Sequence, residues 1–348
     1  MARATTLWLT GVTGFLLSLE IVFRILPVST STETGYYIDP LILSYPSHHR
    51  WVASTGWDLR NAQTLVANSQ GFVADRDFKR DEQAVALIGD SFVEASMLAA
   101  SDRPGAQLER QLTSRPVYAM GNPGTALLDY AERIRYAHEQ YGVRDFVVLM
   151  ERGDVLQSLC GSGNVNGPCL DPKTLAPRVE KLPTADQLKR LFRRSALAQY
   201  FFSQLKFSPQ KLWLQAPGHS YADGLATATG KTLAESIGAT QVPAVNIDTV
   251  ANLFFARVKP HVSGRLVIII DSDRSSLYRG QVRPDPGRDR FVHLARANGA
   301  IVIDTEPLFQ AHLNQSSLKL DVGPYDGHMN GLALKFIAQA AAQALERP

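Results

Sequence analysis

The chain has 348 residues, with 36 Lys and Arg against 33 Asp and Glu, a formal charge of +3 and 45% hydrophobic residues. That balance excludes a disordered, collagen-like or coiled-coil protein, and it lacks the strongly basic character that a dedicated nucleic-acid binder needs for phosphate contacts. Two cysteines are too few for a disulfide scaffold or a four-ligand zinc site, and no HExxH pattern occurs, so no metal and no cofactor are expected.

From Thr5 to Leu26 the sequence is mostly apolar, which as helix would span about 33 Å against a bilayer core of about 30 Å. Glu20 and Arg24 interrupt it, but they stand four apart on one helical face, where they can pair. They also lie near the far end, where long side chains reach the interface. Residues 1–26 therefore read as a membrane anchor. A cleaved signal peptide and a buried amphipathic helix are the alternatives, and the lack of a clear small-residue cleavage site favours the anchor. Arg3 ahead of the run favours an inside N-terminus, with Arg24 counting against it.

Residues 27–78 read as a linker, PVSTSTETG, and an irregular lead-in containing Tyr, Trp and Pro, with His48 and His49 as exposed loop residues. From 79 to 348, short aliphatic runs at 84–88, 117–119, 146–150, 266–270 and 300–303 alternate with helical patterns at 106–112, 126–140, 291–298 and 331–345. Runs of this kind fit buried parallel strands. The alternation predicts an α/β fold: a doubly wound, flavodoxin-like parallel sheet of five strands with helices on both faces.

The third and fourth strands stand too far apart for an ordinary crossover, so a helical insertion is expected at about residues 171–260. Its centre sets Leu188, Leu191, Phe192, Leu197 and Phe201 against Lys189, Arg190, Arg193 and Arg194. That pattern fits a solvated helix face, or a surface for an anionic glycan or lipid headgroup. Cys160 and Cys169 flank a Gly/Asn-rich loop and, outside the cytoplasm, read as a disulfide; two unpaired thiols are the alternative.

Ligand sites in such sheets lie outside the carboxyl ends of the strands. There the first run ends in Gly89-Asp90-Ser91-Phe92, which puts a hydroxyl on a turn and offers the serine's own N–H to a developing oxyanion. Near the other end of the chain, Asp326-Gly327-His328 precedes the terminal helix. A carboxylate two residues from an imidazole can hold Nδ1–H while Nε2 takes a serine proton. Gly121-Asn122-Pro123-Gly124-Thr125 follows the second run. Its glycines allow a backbone N–H near an oxyanion, while the plainer reading is a strand-to-helix turn capped by Thr125.

In this order the motifs resemble those of the SGNH, or GDSL-type, hydrolase and acyltransferase superfamily over roughly residues 80 to 348. The resemblance implies Ser91 as nucleophile, His328 as base and Asp326 as its partner, with the N–H groups of Ser91 and Gly124 in the oxyanion hole. The third motif departs from the family. Where Asn-Asp is usual after the strand, the chain reads Glu151-Arg152-Gly153-Asp154, so Asp154 matches and Gly153 stands at the asparagine position. Loss of one such donor typically lowers turnover by about 10² to 10³, unless the Arg152 guanidinium, the Asn122 amide or another N–H replaces it.

Membrane-anchored members with a D-x-H ending look similar to proteins that add or remove O-acetyl groups on bacterial surface polysaccharides. The resemblance thus implies a serine O-acyl esterase or transferase acting on an extracytoplasmic carbohydrate through an acyl-Ser91 intermediate. It further implies a single-pass protein of the bacterial inner membrane with a periplasmic domain, and polysaccharide-modification proteins as partners. Rival readings are a catalytically weak glycan-binding or assembly module and a lipase-like esterase.

Overall fold

The computed structural model describes residues 2–30, 33–163, 167–182, 193–205, 244–281 and 283–346. Two units divide the chain: 1–33, 50–65 and 183–228 make one, and 34–49, 66–182 and 229–348 the other.

In the first unit, helix α1 (Ala2–Ile25) contains a segment, Arg3–Ile25, of mean hydropathy 1.6 that is long and apolar enough to cross a membrane. Glu20 and Arg24 pair on it at 2.8 Å. Strands Arg50–Thr55 and Arg60–Val66 pair with each other, and Ala196–Gln199 forms one α-helical turn that widens into a π-helical turn, Tyr200–Gln204. In place of the continuous amphipathic helix expected at the centre of the insertion, the described part is this short α–π pair. Leu188, Lys189, Arg190, Leu191 and Phe192 lie outside the described residues.

The second unit is built on a parallel sheet of β1 (Val85–Gly89), β2 (Val117–Gly121), β3 (Asp145–Met150), β4 (Leu266–Ile270) and β5 (Ile301–Asp304). Its spatial order is β2-β1-β3-β4-β5, the doubly wound flavodoxin-like arrangement. Because successive side chains of a strand face opposite ways, the sheet sorts its apolar residues into two cores. Ala86, Ile88, Phe146, Val148, Ile268 and Ile270 pack with α3 (Leu127–Tyr141), α4 (Ala244–Val258) and α5 (Pro286–Ala297). Val85, Leu87, Val147, Leu149, Val267 and Ile269 pack with α2 (Pro104–Leu112), α6 (Thr305–Leu313) and α7 (Gly331–Glu346).

Three expectations change. Much of the stretch 27–78 is neither linker nor irregular: Gly35–Asp39 and Ile42–Ser44 form an antiparallel pair, and Ile42, Phe72 and Phe78 belong to the first of these cores. His48 is exposed as expected, but His49 is half-buried with its ring stacked on Tyr45 at 6.2 Å. The region between β3 and β4 is also not purely helical, since Pro168–Leu170 and Pro177–Val179 pair as an antiparallel hairpin. Cys160 is joined to Cys169, whose side chain is buried beside Ala126.

Candidate active site

β1 ends at Gly89, and the next residue, Asp90, caps the single helical turn Ser91–Glu94 by accepting the Phe92 N–H at 2.8 Å. The cap makes Ser91 the first residue of that turn, at the carboxyl edge of the sheet. The glycines here serve close packing of backbones. A Cβ at Gly89 would lie 2.6 Å from the Leu149 carbonyl oxygen, and one at Gly121 would lie 2.3 Å from the Glu94 nitrogen.

An antiparallel pair, Asp321–Gly323 with Asp326–Met329, carries the other two candidates. With Nδ1 protonated, His328 donates to Asp326 Oδ1 at 2.5 Å, and its Nε2 is 2.9 Å from Ser91 Oγ, placed to accept the hydroxyl proton. The His328 backbone N–H also donates to Asp326 Oδ1, at 2.9 Å, so the carboxylate is fixed by the loop it serves. Burial acts to lower the His328 pKa; the hydrogen bond and charge of Asp326, then the charge of Asp90, outweigh burial and leave it above the ordinary imidazole value.

Two side chains that sequence reasoning did not single out hold this geometry. The Phe92 ring packs against the His328 ring at 4.8 Å. Arg274, on a short helical turn after β4, stacks its guanidinium over Phe92 at 5.7 Å and donates to the Gly327 carbonyl between Asp326 and His328. It also donates to Asp271 and, at 2.7 Å, to Asp321. On the other side of β1, fully buried Arg133 of α3 donates to the carbonyls of Gly89 at 2.6 Å and Met120 at 2.8 Å, tying together the ends of β1 and β2. The sequence signal for Arg274 was its position just past a strand's carboxyl end; Arg133 sits in an ordinary helix repeat and gave none.

The candidates for binding an oxyanion separate clearly. Asn122 is fully buried and, among the described residues, neither polar atom of its side chain has a hydrogen-bond partner. Gly124 has φ +76°, a left-handed conformation that favours glycine. Thr125 does not cap α3; its hydroxyl donates to the Asn122 carbonyl at 2.6 Å and closes the turn. Arg152 is engaged elsewhere, with its two terminal nitrogens 3.2 Å from Asp273 and 2.9 Å from Asp285. Asp154 is fully buried and accepts the Glu151 N–H at 2.9 Å and the Tyr130 hydroxyl at 3.0 Å, so its contacts are architectural.

Gly153 has ordinary dihedrals, φ −80° and ψ −17°. The space beside it is filled: a Cβ there would lie 2.5 Å from Gln157 Nε2 and 2.8 Å from Glu151 Oε2, which hydrogen-bond each other at 2.9 Å. An amide group is thus present in this space, supplied by Gln157 one turn further on.

Buried and half-buried carboxylates surround the site. Burial pushes Glu94 up to about 7 against the hydrogen bond it accepts from Tyr45 at 2.6 Å. Burial, then the charges of Asp90 and Asp271, push Glu151 up to about 7. Burial likewise raises Asp90, and burial with the neighbouring charges of Asp90 and Glu151 raises Asp154. Among the described residues no group of three or more His, Cys, Asp or Glu side chains could hold a metal.

The fold and site together define a doubly wound α/β protein with a Ser–His–Asp chain at the carboxyl edge of its sheet. No family model matches the chain, and no curated protein matches it. Among solved structures, it is similar to an α/β hydrolase enzyme from the metagenome of Lake Arreo, Spain, with 13% identity, 78% of this chain and 99% of that one covered, and a TM-score of 0.38. It is similar to a member of the lipolytic G-D-S-L family from Veillonella parvula, with 11% identity, coverage of 76% and 99%, and a TM-score of 0.38. A third is a carbohydrate acetylesterase from Sinorhizobium meliloti, with 8% identity, coverage of 76% and 98%, and a TM-score of 0.35. At these values the likeness carries nothing about activity.

Proposed function

We propose that the protein is a serine O-acyl esterase or O-acyltransferase of the SGNH type, held in a membrane by α1 and acting outside the cytoplasm on an acylated carbohydrate. The observation that carries the reading is the unbroken chain from Ser91 Oγ to His328 Nε2 at 2.9 Å and from His328 Nδ1 to Asp326 at 2.5 Å. It is the arrangement in which a hydroxyl loses its proton to an oriented imidazole as it attacks an acyl carbon.

In the first half-reaction Ser91 Oγ bonds to the acyl carbon while its proton passes to His328 Nε2. The carbonyl oxygen becomes an oxyanion, met by the Ser91 and Gly124 N–H groups and by the Asn122 amide, whose burial without a partner suits a donor awaiting a ligand. As the oxyanion collapses, the ester C–O bond breaks and His328 returns its proton to the departing sugar oxygen. In the second half-reaction water or a sugar hydroxyl loses its proton to His328 as its oxygen bonds to the acyl carbon; the bond to Ser91 Oγ then breaks, and His328 returns the proton to Ser91 Oγ. The Cys160–Cys169 disulfide and the apolar α1 support an extracytoplasmic site. Polysaccharide-modification proteins remain the proposed partners.

The test is mass spectrometry after treating the full chain in its membrane with a fluorophosphonate. A phosphonylated Ser91 is expected. No adduct, or an adduct elsewhere, under conditions that label an established serine esterase overturns the enzyme reading. One observation favours a second reading, a weak or inactive glycan-binding module: the Glu151–Gln157 pair fills the space beside Gly153. Tight glycan binding with an unlabelled Ser91 would support it.

A further inference from the structure

The first unit exposes apolar side chains beyond α1, all on elements fastened to the end of that helix. Trp57 is 65% exposed, Phe202 47%, Phe201 41% and Leu205 38%. Trp57 lies in the turn between the two paired strands; the others lie on and just after the π-helical turn. In a soluble protein large exposed apolar groups gathered on neighbouring elements mark a surface meant for something else.

The fastening is specific. Glu20 of α1 accepts the Ser195 hydroxyl at 2.8 Å and the N–H groups of Ala196 and Leu197 at 3.0 Å each, so the carboxylate occupies the start of the 196–204 helical segment. Arg24 donates to the Arg194 carbonyl at 3.0 Å, and Phe23 stacks on Tyr200 at 4.2 Å. Tyr200 donates its hydroxyl to the Trp57 carbonyl at 2.9 Å, and Gln204 donates to the Gly56 carbonyl at 2.8 Å. The last turns of α1, the α–π segment and the strand turn are thus one hydrogen-bonded body.

The depth of that body follows from the helix. Between Arg3 and Glu20 no charged residue occurs, and those residues extend about 24 Å as helix, about one helical turn less than a hydrocarbon core of about 30 Å, a gap that the long side chains of Arg3 and Arg24 close by reaching to the two interfaces. Glu20 and everything bonded to it therefore stand at the border between acyl chains and headgroups. That is the level at which tryptophan and other aromatic side chains are most stable in a bilayer. Exposed Arg194 adds positive charge at the same level, where the charge of Arg24 is already paired with Glu20, and phospholipid headgroups favour it.

We propose that Trp57, Phe201, Phe202 and Leu205 form an interfacial platform inserted into the headgroup–acyl boundary of the membrane that α1 crosses. The unit then rests on the bilayer along a surface and does not swing from a single helix. The proposal rests on the reading of α1 as a spanning helix, and the two are tested separately.

The full chain is reconstituted in phospholipid nanodiscs with one cysteine introduced for bimane labelling, the native pair being occupied in its disulfide. Leu16→Cys reports on the spanning helix, and Phe202→Cys, with Leu205→Cys as a second position should the first fail to fold, reports on the platform. Nitroxides carried shallow or deep on the lipid, and aqueous iodide, are the quenchers. The expected result is quenching at 16 by the deep nitroxide and, at 202 or 205, emission falling by more than about half with the shallow nitroxide and little with iodide. Quenching at 202 and 205 by iodide alone, with 16 still quenched by lipid, overturns the platform and leaves the anchor standing. No lipid quenching at 16 overturns the spanning helix and the platform with it. Shielding of 202 and 205 from both quenchers means a protein occupant, such as a second copy, and also overturns the proposal.

Discussion

Replacing Arg274 by methionine removes one guanidinium that serves both the stability of the domain and the aim of His328, the proposed base. Its acceptors are Asp271, Asp321 and the Gly327 carbonyl, and it covers Phe92. Asp271 is 4% exposed, so the variant leaves it as a buried carboxylate without its cation. Breaking a buried pair in this way costs about 3–5 kcal/mol. Asp271 is already raised by burial, with Arg274 the main force holding it down. Without Arg274 the folded protein binds a proton at Asp271 that the unfolded chain releases, so the variant's deficit should be largest at high pH and shrink as pH falls.

The functional consequence is separable from that loss. The loop bearing Asp326 and His328 loses its tie at Gly327, and a displacement of about 1 Å at a reacting group costs about 10²-fold in rate. The positive charge of Arg274 also opposes protonation of His328. Because the base must be neutral to work, its removal should move the acid limb of the rate profile to higher pH. The assay is the rate of Ser91 phosphonylation against pH, alongside urea unfolding at pH 5 and pH 8. Arg274→Lys, which keeps the charge and loses the fork, should restore the acid limb but only part of the rate. A folded Arg274→Met protein with wild-type rate and an unmoved acid limb would refute the reasoning.

Ser91→Ala and His328→Ala should each remove nearly all acyl turnover and together cost little more than either alone, with Asp326→Asn slower than wild type by up to about 10⁴; wild-type turnover in His328→Ala would show that the base is another group. Glu94, shifted from 4.5 to about 7 by burial, gives full stability below pH 4.5 and loses it as pH rises through 7. Glu94→Gln should therefore gain on the wild type by up to about 3 kcal/mol at pH 8, since each tenfold change in proton affinity is worth about 1.4 kcal/mol, and thermal melts at pH 4 and pH 8 check this. Gly153→Asn has backbone freedom at φ −80° but must displace the Gln157–Glu151 pair. Turnover should rise, by up to about 10²-fold, only when it is combined with Gln157→Ala; a simple sum of the two single effects on ester hydrolysis would count against this account.

Composition and periodicity determined the sheet. Five apolar runs separated by helical patterns specify buried parallel strands, because a strand covered on both faces must be apolar on both, and the observed strands begin and end within two residues of those runs. The same logic located Ser91, Asp326 and His328 at strand and loop ends, since those residue types have no packing reason to be there. What the sequence left undecided depends on contacts between distant segments. The lead-in carries no periodic signal, yet Ile42, Phe72 and Phe78 are drawn into the core because that face of the sheet would otherwise meet water. Only tertiary structure set Arg274 on Gly327, Arg133 on the ends of two strands and the Gln157 amide beside Gly153. Each of these side chains is long enough to work several residues away from its own position, and a linear pattern records where a side chain starts, not where its charged or amide end comes to rest.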